Sequence, residues 1–204
     1  MSMFRSLIST ISGGGSILPP TYQQVEYIRT TGDQYINLGF YGSNTIDYDM
    51  EFCWNAMVHN NQNYLCGFEN YTPRLTADGT SQTNLNVLYY GYTAYTISNL
   101  TMGTKYKISI KGTNTYLNDN LIITRNRISG TDTYPLMLFN YPYNPAFGPD
   151  ASLYSLKFYE NNVLIRDFIP CYRKSDNEIG LYDIVNNVFY TNDGTGTFIK
   201  GNDV

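Results

Sequence analysis

Apolar and polar side chains alternate along most of this chain with a period of two residues. In the clearest run, the even-numbered residues from Ile46 to Trp54 are apolar, and the odd-numbered residues from Asp47 to Asn55 occupy the opposite face. A second run, residues 105–111, alternates tyrosine and isoleucine with lysine and serine. Because successive side chains of a β-strand point to opposite faces of its sheet, both runs predict long strands buried on one side.

Turn residues divide the rest of the chain into short strands and hairpins. One hairpin is predicted where Lys105–Lys111 is followed by Thr115–Leu117, a turn and Leu121–Thr124. A second hairpin is predicted for Leu153–Tyr159 with Val163–Ile169. The second turns at Asn161 and Asn162, and asparagine tolerates the positive φ that a tight turn requires. Weaker strands are predicted at Val25–Arg29, Gln34–Leu38, Tyr64–Phe68, Leu85–Tyr90, Pro135–Phe139, Ile179–Asp183, Val188–Tyr190 and Thr197–Ile199. Many short strands separated by turns, with no internal repeat, predict an all-β, two-sheet sandwich.

The first twelve residues follow a different pattern. Their apolar side chains recur at helical spacing, at Met3, Phe4, Leu7, Ile8 and Ile11. A helix this short is marginal in water on its own, so we expect it to dock on a partner or on copies of itself, a trimer being one arrangement. The predicted organisation is an anchoring or oligomerisation helix over residues 1–12, a Gly/Pro linker over residues 13–21, and one β-sandwich domain over residues 22–204.

Composition supports this division and excludes some partners. The chain has 204 residues, of which 21 are tyrosine and 15% are charged, with a net charge of −4. Nucleic-acid binding is not expected, because it requires clustered basic residues and the thirteen here are scattered. No stretch is apolar for long enough to predict a membrane span, and the N-terminus is a poor match to a signal peptide. Three cysteines, Cys53, Cys66 and Cys171, at spacings unlike those of zinc sites predict buried free thiols and assembly in a reducing cytoplasm.

Two phrases of sequence resemble the concanavalin A-like lectin/glucanase modules, the LamG-like jelly rolls. The opening phrase is Val25–Ile36, reading VEYIRTTGDQYI. The closing phrase runs from Arg166 to Phe198, with RDFIPC, IGLYD, FY and GTGTF in the order and at the spacing of these modules. The resemblance covers about residues 22–198 and implies a jelly roll of two curved antiparallel sheets. Neither phrase contains a catalytic or binding motif, so both are interpreted as structural.

The resemblance also implies a biological setting. Such modules occur in surface proteins of gut bacteria and in virion proteins of the tailed phages that infect them. A short docking helix in front of one such module suits a phage head fibre or capsid decoration protein, assembled in the host cytoplasm and displayed on the particle. We therefore expect a non-catalytic virion protein that contacts capsid proteins and binds host-surface or mucosal glycans. The alternative is a bacterial surface adhesin or carbohydrate-binding module.

A third hypothesis is a glycoside hydrolase. Asp47, Asp49 and Glu51 lie on one face of a predicted strand, as three carboxylates do in related glucanases. A retaining pair needs carboxyl groups roughly 5–5.5 Å apart. The Cα atoms of Asp47 and Glu51 should lie about 13 Å apart, and aspartate in the first position spans that gap less well than glutamate. A solvated sheet face is the preferred interpretation.

Aromatic side chains are the preferred binding candidates, because their faces can stack on sugar rings while asparagine bonds hydroxyl groups. The candidates are Tyr89, Tyr90, Tyr92, Tyr95, Tyr141, Tyr143 and Asn144. The alternative is that these rings pack beneath their own loops or against another subunit. No cofactor is expected. The single histidine, His59, is interpreted as a loop residue, and the loops Asp176–Glu178 and Asn192–Gly194 are weak candidates for calcium.

Overall fold

The computed structural model describes residues 17–56, 58, 62–67, 69–78, 84–89, 91–92, 94–142 and 148–204. Within these ranges the chain forms seventeen β-strands and no helix. The predicted N-terminal helix, with Met3, Phe4, Leu7, Ile8 and Ile11, lies outside the described residues and stays a prediction. No helix that is long and apolar enough to cross a membrane occurs in the described ranges.

The strands form two antiparallel sheets. The smaller sheet has the order β3-β12-β5-β6-β7-β8. Its strands are β3 (Ile36–Ser43), β5 (Gln62–Gly67), β6 (Arg74–Asp78), β7 (Leu85–Leu88), β8 (Tyr95–Ile97) and β12 (Thr131–Leu138). The larger sheet comprises β1 (Tyr22–Gln24), β2 (Ile28–Thr31), β4 (Ile46–Ala56), β9 (Lys105–Lys111), β10 (Asn114–Leu117), β11 (Asn120–Thr124), β13 (Asp150–Glu160), β14 (Val163–Arg173), β15 (Glu178–Asp183), β16 (Val188–Tyr190) and β17 (Ile199–Lys200). Its main order is β11-β10-β9-β4-β13-β14-β15-β16, with β1 paired to β14, and β2 to β13 and β17.

Three strands have the predicted bounds. The bounds of β4, β9 and β16 are those predicted, and the second hairpin turns through Asn161 and Asn162 at φ of 50° and 65°. Phe139 has a φ of 61°, so β12 ends at Leu138, one residue before the predicted end.

Several strand predictions need correction. The predicted strand Val25–Arg29 overlaps only β2, which begins at Ile28, and Val25 forms only an isolated bridge with Asp203. The last strand is Ile199–Lys200, not Thr197–Ile199, and β1, β6 and β8 were not predicted. These segments are short, so few alternating positions mark them.

The core lies between the two sheets, as expected of a sandwich. Tyr48, Met50 and Phe52 of β4 are fully buried with Phe158 of β13, and they share one cluster with the inward side chains of the smaller sheet. The ring of Phe40, from β3, meets that of Phe158 edge-on at 4.9 Å. Two antiparallel sheets facing each other across one core fit the jelly roll that the resemblance implies.

The opening and closing phrases meet in the structure, which explains why both look structural. The side-chain amide of Gln34 donates to the carbonyl of Thr195 at 3.1 Å, and Asn192 Oδ1 accepts the N–H of Tyr35 at 3.1 Å. A Cβ at Gly194 would lie 2.0 Å from the carbonyl oxygen of Asp33, so only glycine allows this approach. The two phrases therefore close the sandwich by bonding to each other.

All three cysteines are buried and carry free thiols. Burial raises the pKa of the Cys171 thiol to about 12 and raises that of Cys53 as well. A thiol that stays protonated is a poor nucleophile, so these cysteines act as small apolar side chains.

Candidate functional site

The aromatic run after β7 forms a tight turn at the side of the smaller sheet. Tyr89 is only 4% exposed, and its hydroxyl is hydrogen-bonded to that of Thr115. The N–H of Tyr92 donates to the carbonyl of Tyr89 at 3.1 Å, which closes the turn. Tyr92, at 44% exposure, presents its ring to solvent. One tyrosine of the run therefore supports the turn from the core, and another stands at its surface.

Gly91 is required at the centre of this turn. Its φ is +76°, a left-handed conformation that residues with a Cβ adopt at a cost. A Cβ there would also lie 2.5 Å from Cδ1 of Ile128. Glycine thus sets the path that carries the chain from buried Tyr89 to exposed Tyr92.

Tyr141 approaches the same region from the end of β12. Its ring is stacked on that of Tyr64, from β5, with 4.5 Å between centroids and 14° between planes. Arg74, the first residue of β6, donates from Nη1 to Tyr141 Oη at 3.0 Å and to the carbonyl of Glu69 at 2.7 Å. Burial raises the pKa of Tyr64, and the positive charge of Arg74 opposes that rise. Arg74 therefore connects the Tyr64–Tyr141 stack to the loop before β6.

A pocket of about 150 Å³ opens between this arginine and the turn after β7. We call it the Arg74 pocket. It is lined by Glu69, Asn70, Arg74, Leu88, Tyr89, Gly91 and Tyr92. The lining combines an aromatic surface, an apolar side chain, a carboxylate, an amide and a guanidinium, which are the groups that orient a small polar ligand.

The guanidinium of Arg74 is held firmly but incompletely used. Arginine has five N–H donors. Both bonds that Arg74 makes within the described residues come from Nη1, and its Nε is shielded from solvent with no hydrogen-bond partner. Across the pocket, the guanidinium carbon of Arg125 lies 5.4 Å from the ring centroid of Tyr92 and adds positive charge behind that wall.

Two buried acidic side chains, Glu69 of the pocket lining and Asp132 of β12, bond the segments around the pocket. Glu69 accepts from the N–H and the hydroxyl of Thr133, at 2.6 and 2.8 Å. Asp132 Oδ1 accepts the N–H groups of Asn70 and Tyr71, at 2.7 and 2.9 Å, and so fixes the loop backbone. Burial raises the pKa of Asp132, and these backbone hydrogen bonds oppose the rise.

The predicted binding residues have different places in this arrangement. Tyr89 and Tyr92 line the pocket, and Tyr141 contacts its arginine. Tyr95 belongs to β8 and is packed partly against the core. Tyr90, Tyr143, Asn144 and His59 lie outside the described residues, so their predicted roles stay predictions.

Sequence reasoning identified only the two tyrosines of the pocket lining and missed the others, Glu69, Asn70, Arg74, Leu88 and Gly91. A single arginine at the start of an unpredicted strand carries no motif. Asn70 precedes Tyr71 and Pro73 in a short polar stretch that indicates only a turn. No feature of the neighbouring sequence would have found Arg74.

The carboxylates of Asp47, Asp49 and Glu51 lie on the outer face of the larger sheet, along β4. Lys105 Nζ lies 2.6 Å from a carboxylate oxygen of Glu51, and Lys111 Nζ lies 3.6 Å from one of Asp49. On the other side, Lys157 of β13 stands opposite Asp49 in the ladder. Cationic side chains from both neighbouring strands therefore accompany these carboxylates.

Asp47 is the most completely bonded of the three. Arg127 Nη2 lies 2.8 Å from Asp47 Oδ1, and the side chain of Arg127 is only 5% exposed. Both carboxylate oxygens of Asp47 also accept the N–H of Gly112 at 3.0 Å. Arg127 further donates to the carbonyl oxygen of Ile46 at 2.7 Å. These bonds give Asp47 a structural role in joining β4 to the β9–β10 turn.

A row of shallow hollows follows one margin of the larger sheet. Three of them, of about 280, 480 and 330 Å³, share residues with one another. Their linings include Tyr41, Asn44, Thr45, Asp47, Lys111, Gly112, Gly130, Tyr159, Glu160, Asn161 and Asn162. The row shares no lining residue with the Arg74 pocket, and it is more open.

No group of three or more histidine, cysteine, aspartate or glutamate side chains in the described ranges is arranged to hold a metal ion. The predicted calcium candidates instead serve the turns. Asp176 is paired with Arg173 at 2.7 Å, and Asn192 bonds the backbone of Tyr35 and Gly194.

Comparisons with known proteins give similarity of fold. No family model matches the chain, and no curated protein sequence matches it. Among solved structures, a candidate carbohydrate-binding protein from Bacteroides ovatus ATCC 8483 is similar with a TM-score of 0.61 and 11% identity, over 89% of this chain and 62% of that one. The chain therefore spans less than two thirds of that protein's length, and the two proteins are similar in fold.

Two enzymes are similar to this chain at lower TM-scores. The sialidase of Trypanosoma rangeli, in complex with sialic acid, has a TM-score of 0.46 at 11% identity, over 71% of this chain and 27% of that one. Alginate lyase AlgAT5 from polysaccharide lyase family 7 has a TM-score of 0.41 at 15% identity, over 60% of this chain and 63% of that one. Their low TM-scores exclude both from any inference about this chain.

Proposed function

We propose that this chain is a non-catalytic, lectin-like module that binds a glycan in the Arg74 pocket. The observation that carries the proposal is the pocket itself, where an exposed tyrosine ring, an amide and a partly unused guanidinium converge on one small cavity. The sandwich fold it shares with a candidate carbohydrate-binding protein is consistent with such a role. Tyr92 would stack on a sugar ring, while Asn70 and Arg74 would bond its oxygen atoms.

A lectin-like role is favoured over glycoside hydrolysis by the state of the carboxylate strand. A hydrolase needs one carboxylate free to attack or to activate water and a second one to donate a proton. Asp47 is bonded to Arg127 and Gly112, and Glu51 is paired with Lys105. Carboxylates held in this way stabilise the sheet and are poorly placed for either task.

A glycan array followed by calorimetry on the bound glycans tests the proposal. Tyr92→Ala should weaken binding at least tenfold, about 1.4 kcal/mol, because the stacking surface is lost. Tyr41→Ala is the matched control, since Tyr41 is a similarly exposed tyrosine that lines the separate row of hollows. Loss of binding in Tyr41→Ala with none in Tyr92→Ala would move the site to those hollows, and an array without any bound glycan would end the proposal.

We further propose that the module is displayed on a tailed-phage particle, as a head fibre or capsid decoration protein. The support is the sequence: a resemblance to modules found in such virions, and the apolar helical spacing of Met3, Phe4, Leu7, Ile8 and Ile11. Weak sites suffice when many copies share one particle. Deleting residues 1–12 should leave a folded domain that no longer joins the particle, as measured by mass spectrometry of purified virions.

A bacterial surface adhesin is the competing assignment for the same glycan-binding module. The two are distinguished by where the chain is found. Its peptides in purified virions, with none on washed cell surfaces, would support the phage assignment, and the reverse would support the adhesin.

A further inference from the structure

Most cationic side chains of the described residues form ion pairs with carboxylates. Ion pairs to carboxylates within the described residues involve Arg29, Lys105, Lys107, Lys111, Arg127, Lys157, Arg166, Arg173 and Lys200. Arg74 is absent from this set, although it stands at the wall of a cavity. A guanidinium is always charged, and one without a carboxylate partner is a ready binding group for an anion.

Glu69, another residue of the pocket lining, bonds Arg74 through its backbone and not through its carboxylate. Its carboxylate Oε2 accepts from Thr133. Arg74 also donates to the hydroxyl of Tyr141, and its guanidinium carbon lies 5.1 Å from the centroid of that ring. The guanidinium is thus positioned by two neutral acceptors and one aromatic ring.

The unused donors of Arg74 also have a defined geometry. Both hydrogen bonds come from Nη1, and Nε is shielded from solvent, so Nη2 is the donor group left to a ligand in the cavity. Its two N–H groups carry part of the delocalised positive charge, and charge-assisted hydrogen bonds to a carboxylate are stronger than those to a neutral oxygen. Arg125, over the ring of Tyr92, adds a second positive charge beside the same cavity.

The cavity is small. At about 150 Å³ it is well below the roughly 300–1,000 Å³ of typical small-molecule sites. It therefore accommodates one substituted sugar residue and not a length of polysaccharide. A single sugar unit that contacts one arginine and one aromatic ring is bound best when the sugar itself carries a negative charge.

We propose that the Arg74 pocket selects a carboxylate-bearing sugar, of the uronic acid class, over its neutral counterpart. The carboxylate accepts from Nη2 of Arg74, and the sugar ring lies against Tyr92. This proposal rests on the proposed glycan-binding function and names the ligand class of the same site.

The test compares each acidic oligosaccharide with its methyl ester, which keeps the ring and removes the charge. Oligogalacturonate and oligoglucuronate, each with its methyl ester, are titrated into the full-length protein by calorimetry at two salt concentrations. The acid should bind at least tenfold more tightly than the ester, and added salt should reduce the difference. This comparison uses the wild-type protein and depends on no variant's folding.

Variants then assign the preference to Arg74. Arg74→Gln should abolish the difference between acid and ester. Arg74→Lys should retain only part of it, because lysine keeps the charge but cannot bond Glu69 and Tyr141 through one nitrogen while donating to a ligand through another. Arg173→Gln is the matched control, since it makes the same change at an arginine already paired with Asp176. Melting temperatures of all three variants show whether the fold is kept.

The outcomes separate the two proposals. Equal binding of acid and ester that is still lost in Tyr92→Ala would overturn the acidic-sugar proposal and leave glycan binding intact. An acid preference that survives in folded Arg74→Gln would also overturn it, as would tight binding of a sulfated sugar with none of a uronic acid. Absence of binding to every sugar, including neutral ones on the array, would remove the function itself.

Discussion

The outer face of the larger sheet and the Arg74 pocket both collect charged side chains, but they balance that charge in opposite ways. On the sheet, Asp47 has Arg127 and Glu51 has Lys105, at 2.8 and 2.6 Å. In the pocket, Arg74 is positioned by a carbonyl and a hydroxyl that carry no charge. The carboxylates that suggested catalysis in the sequence are therefore paired with cations of the same sheet, whereas Arg74, which no sequence pattern marked, is the residue for which we propose a ligand.

Two carboxylates of low exposure differ in the same way, because one is paired with an arginine and the other is bonded by backbone N–H groups. Asp47 is paired with a nearly buried arginine. Asp132, 4% exposed, has backbone N–H groups on Oδ1 and no hydrogen-bond partner for Oδ2 among the described residues. A carboxylate paired with a cation stabilises the sheet. A charged group near a pocket that has no partner of opposite charge can instead change its ionisation with pH or bind a ligand. Four changes test this difference, in order of expected effect.

Arg127→Ala should have the largest effect, because it removes a nearly buried cation from the half-buried carboxylate of Asp47 and from the carbonyl oxygen of Ile46. Removing one partner of a buried ion pair costs about 3–5 kcal/mol of unfolding free energy. Urea denaturation followed by tryptophan fluorescence measures it, with Trp54 as the probe. A loss below about 1 kcal/mol would mean that Asp47 is solvated and that the compensation described here is superficial.

Gly91→Ala should come next and should affect the pocket as well as stability. The left-handed φ of Gly91 costs an alanine roughly 1–2 kcal/mol, and its Cβ would press on Ile128. We expect a lower melting temperature and weaker glycan binding, because the turn that presents Tyr92 must shift. Gly103→Ala is the matched control, since Gly103 has the same φ of 76° and open space around its Cβ position. Equal effects of the two changes on binding would contradict a specific role for the Gly91 turn.

Asp132→Asn should change how stability depends on pH. Because burial raises the folded-state pKa of Asp132, its protonated form is favoured in the fold, and its contribution to stability falls as pH rises from the ordinary aspartate value through the raised one. The wild-type advantage over Asp132→Asn should thus be greatest near pH 3.5 and decrease toward pH 7. Urea denaturation of both proteins across this range measures the difference, and an advantage that grows with pH would reverse the assigned direction.

Lys105→Ala should have the smallest effect. The pair with Glu51 is half exposed, and exposed ion pairs contribute roughly 0.2–1 kcal/mol. Urea denaturation in low and high salt should show a small loss that salt removes. A loss as large as that of Arg127→Ala would mean that exposure does not separate the two pairs.

Local patterns account for the parts of the fold that were predicted well. Alternation over eleven residues defines β4 and its buried face, and Asn161 and Asn162 define a hairpin turn by their tolerance of positive φ. Where the pattern is short or mixed, as in β6, prediction fails, because five residues with an arginine, a threonine and an aspartate carry little periodic signal.

The candidate site was predicted only in its aromatic half. Tyr89, Tyr92 and Tyr141 were identified because aromatic faces can stack on sugar rings and clustered aromatic side chains are typical of interaction sites. Their different exposures were not predictable, since Tyr89 is buried by strands that are distant in sequence. Arg74 was missed because nothing adjacent to it in the chain distinguishes it from a solvated surface arginine.

The sequence alone determined that this chain is a β-sandwich, which residues of its long strands face inward, and where its hairpins turn, because these depend on neighbours within a few positions. Only the tertiary structure decided which charges are neutralised and which are left open. Arg74 meets Tyr141, 67 positions away, because β12 pairs with β5 and β5 with β6, and Asp47 meets Arg127, 80 positions away. Strand pairing between distant segments sets such meetings, and no local pattern encodes them.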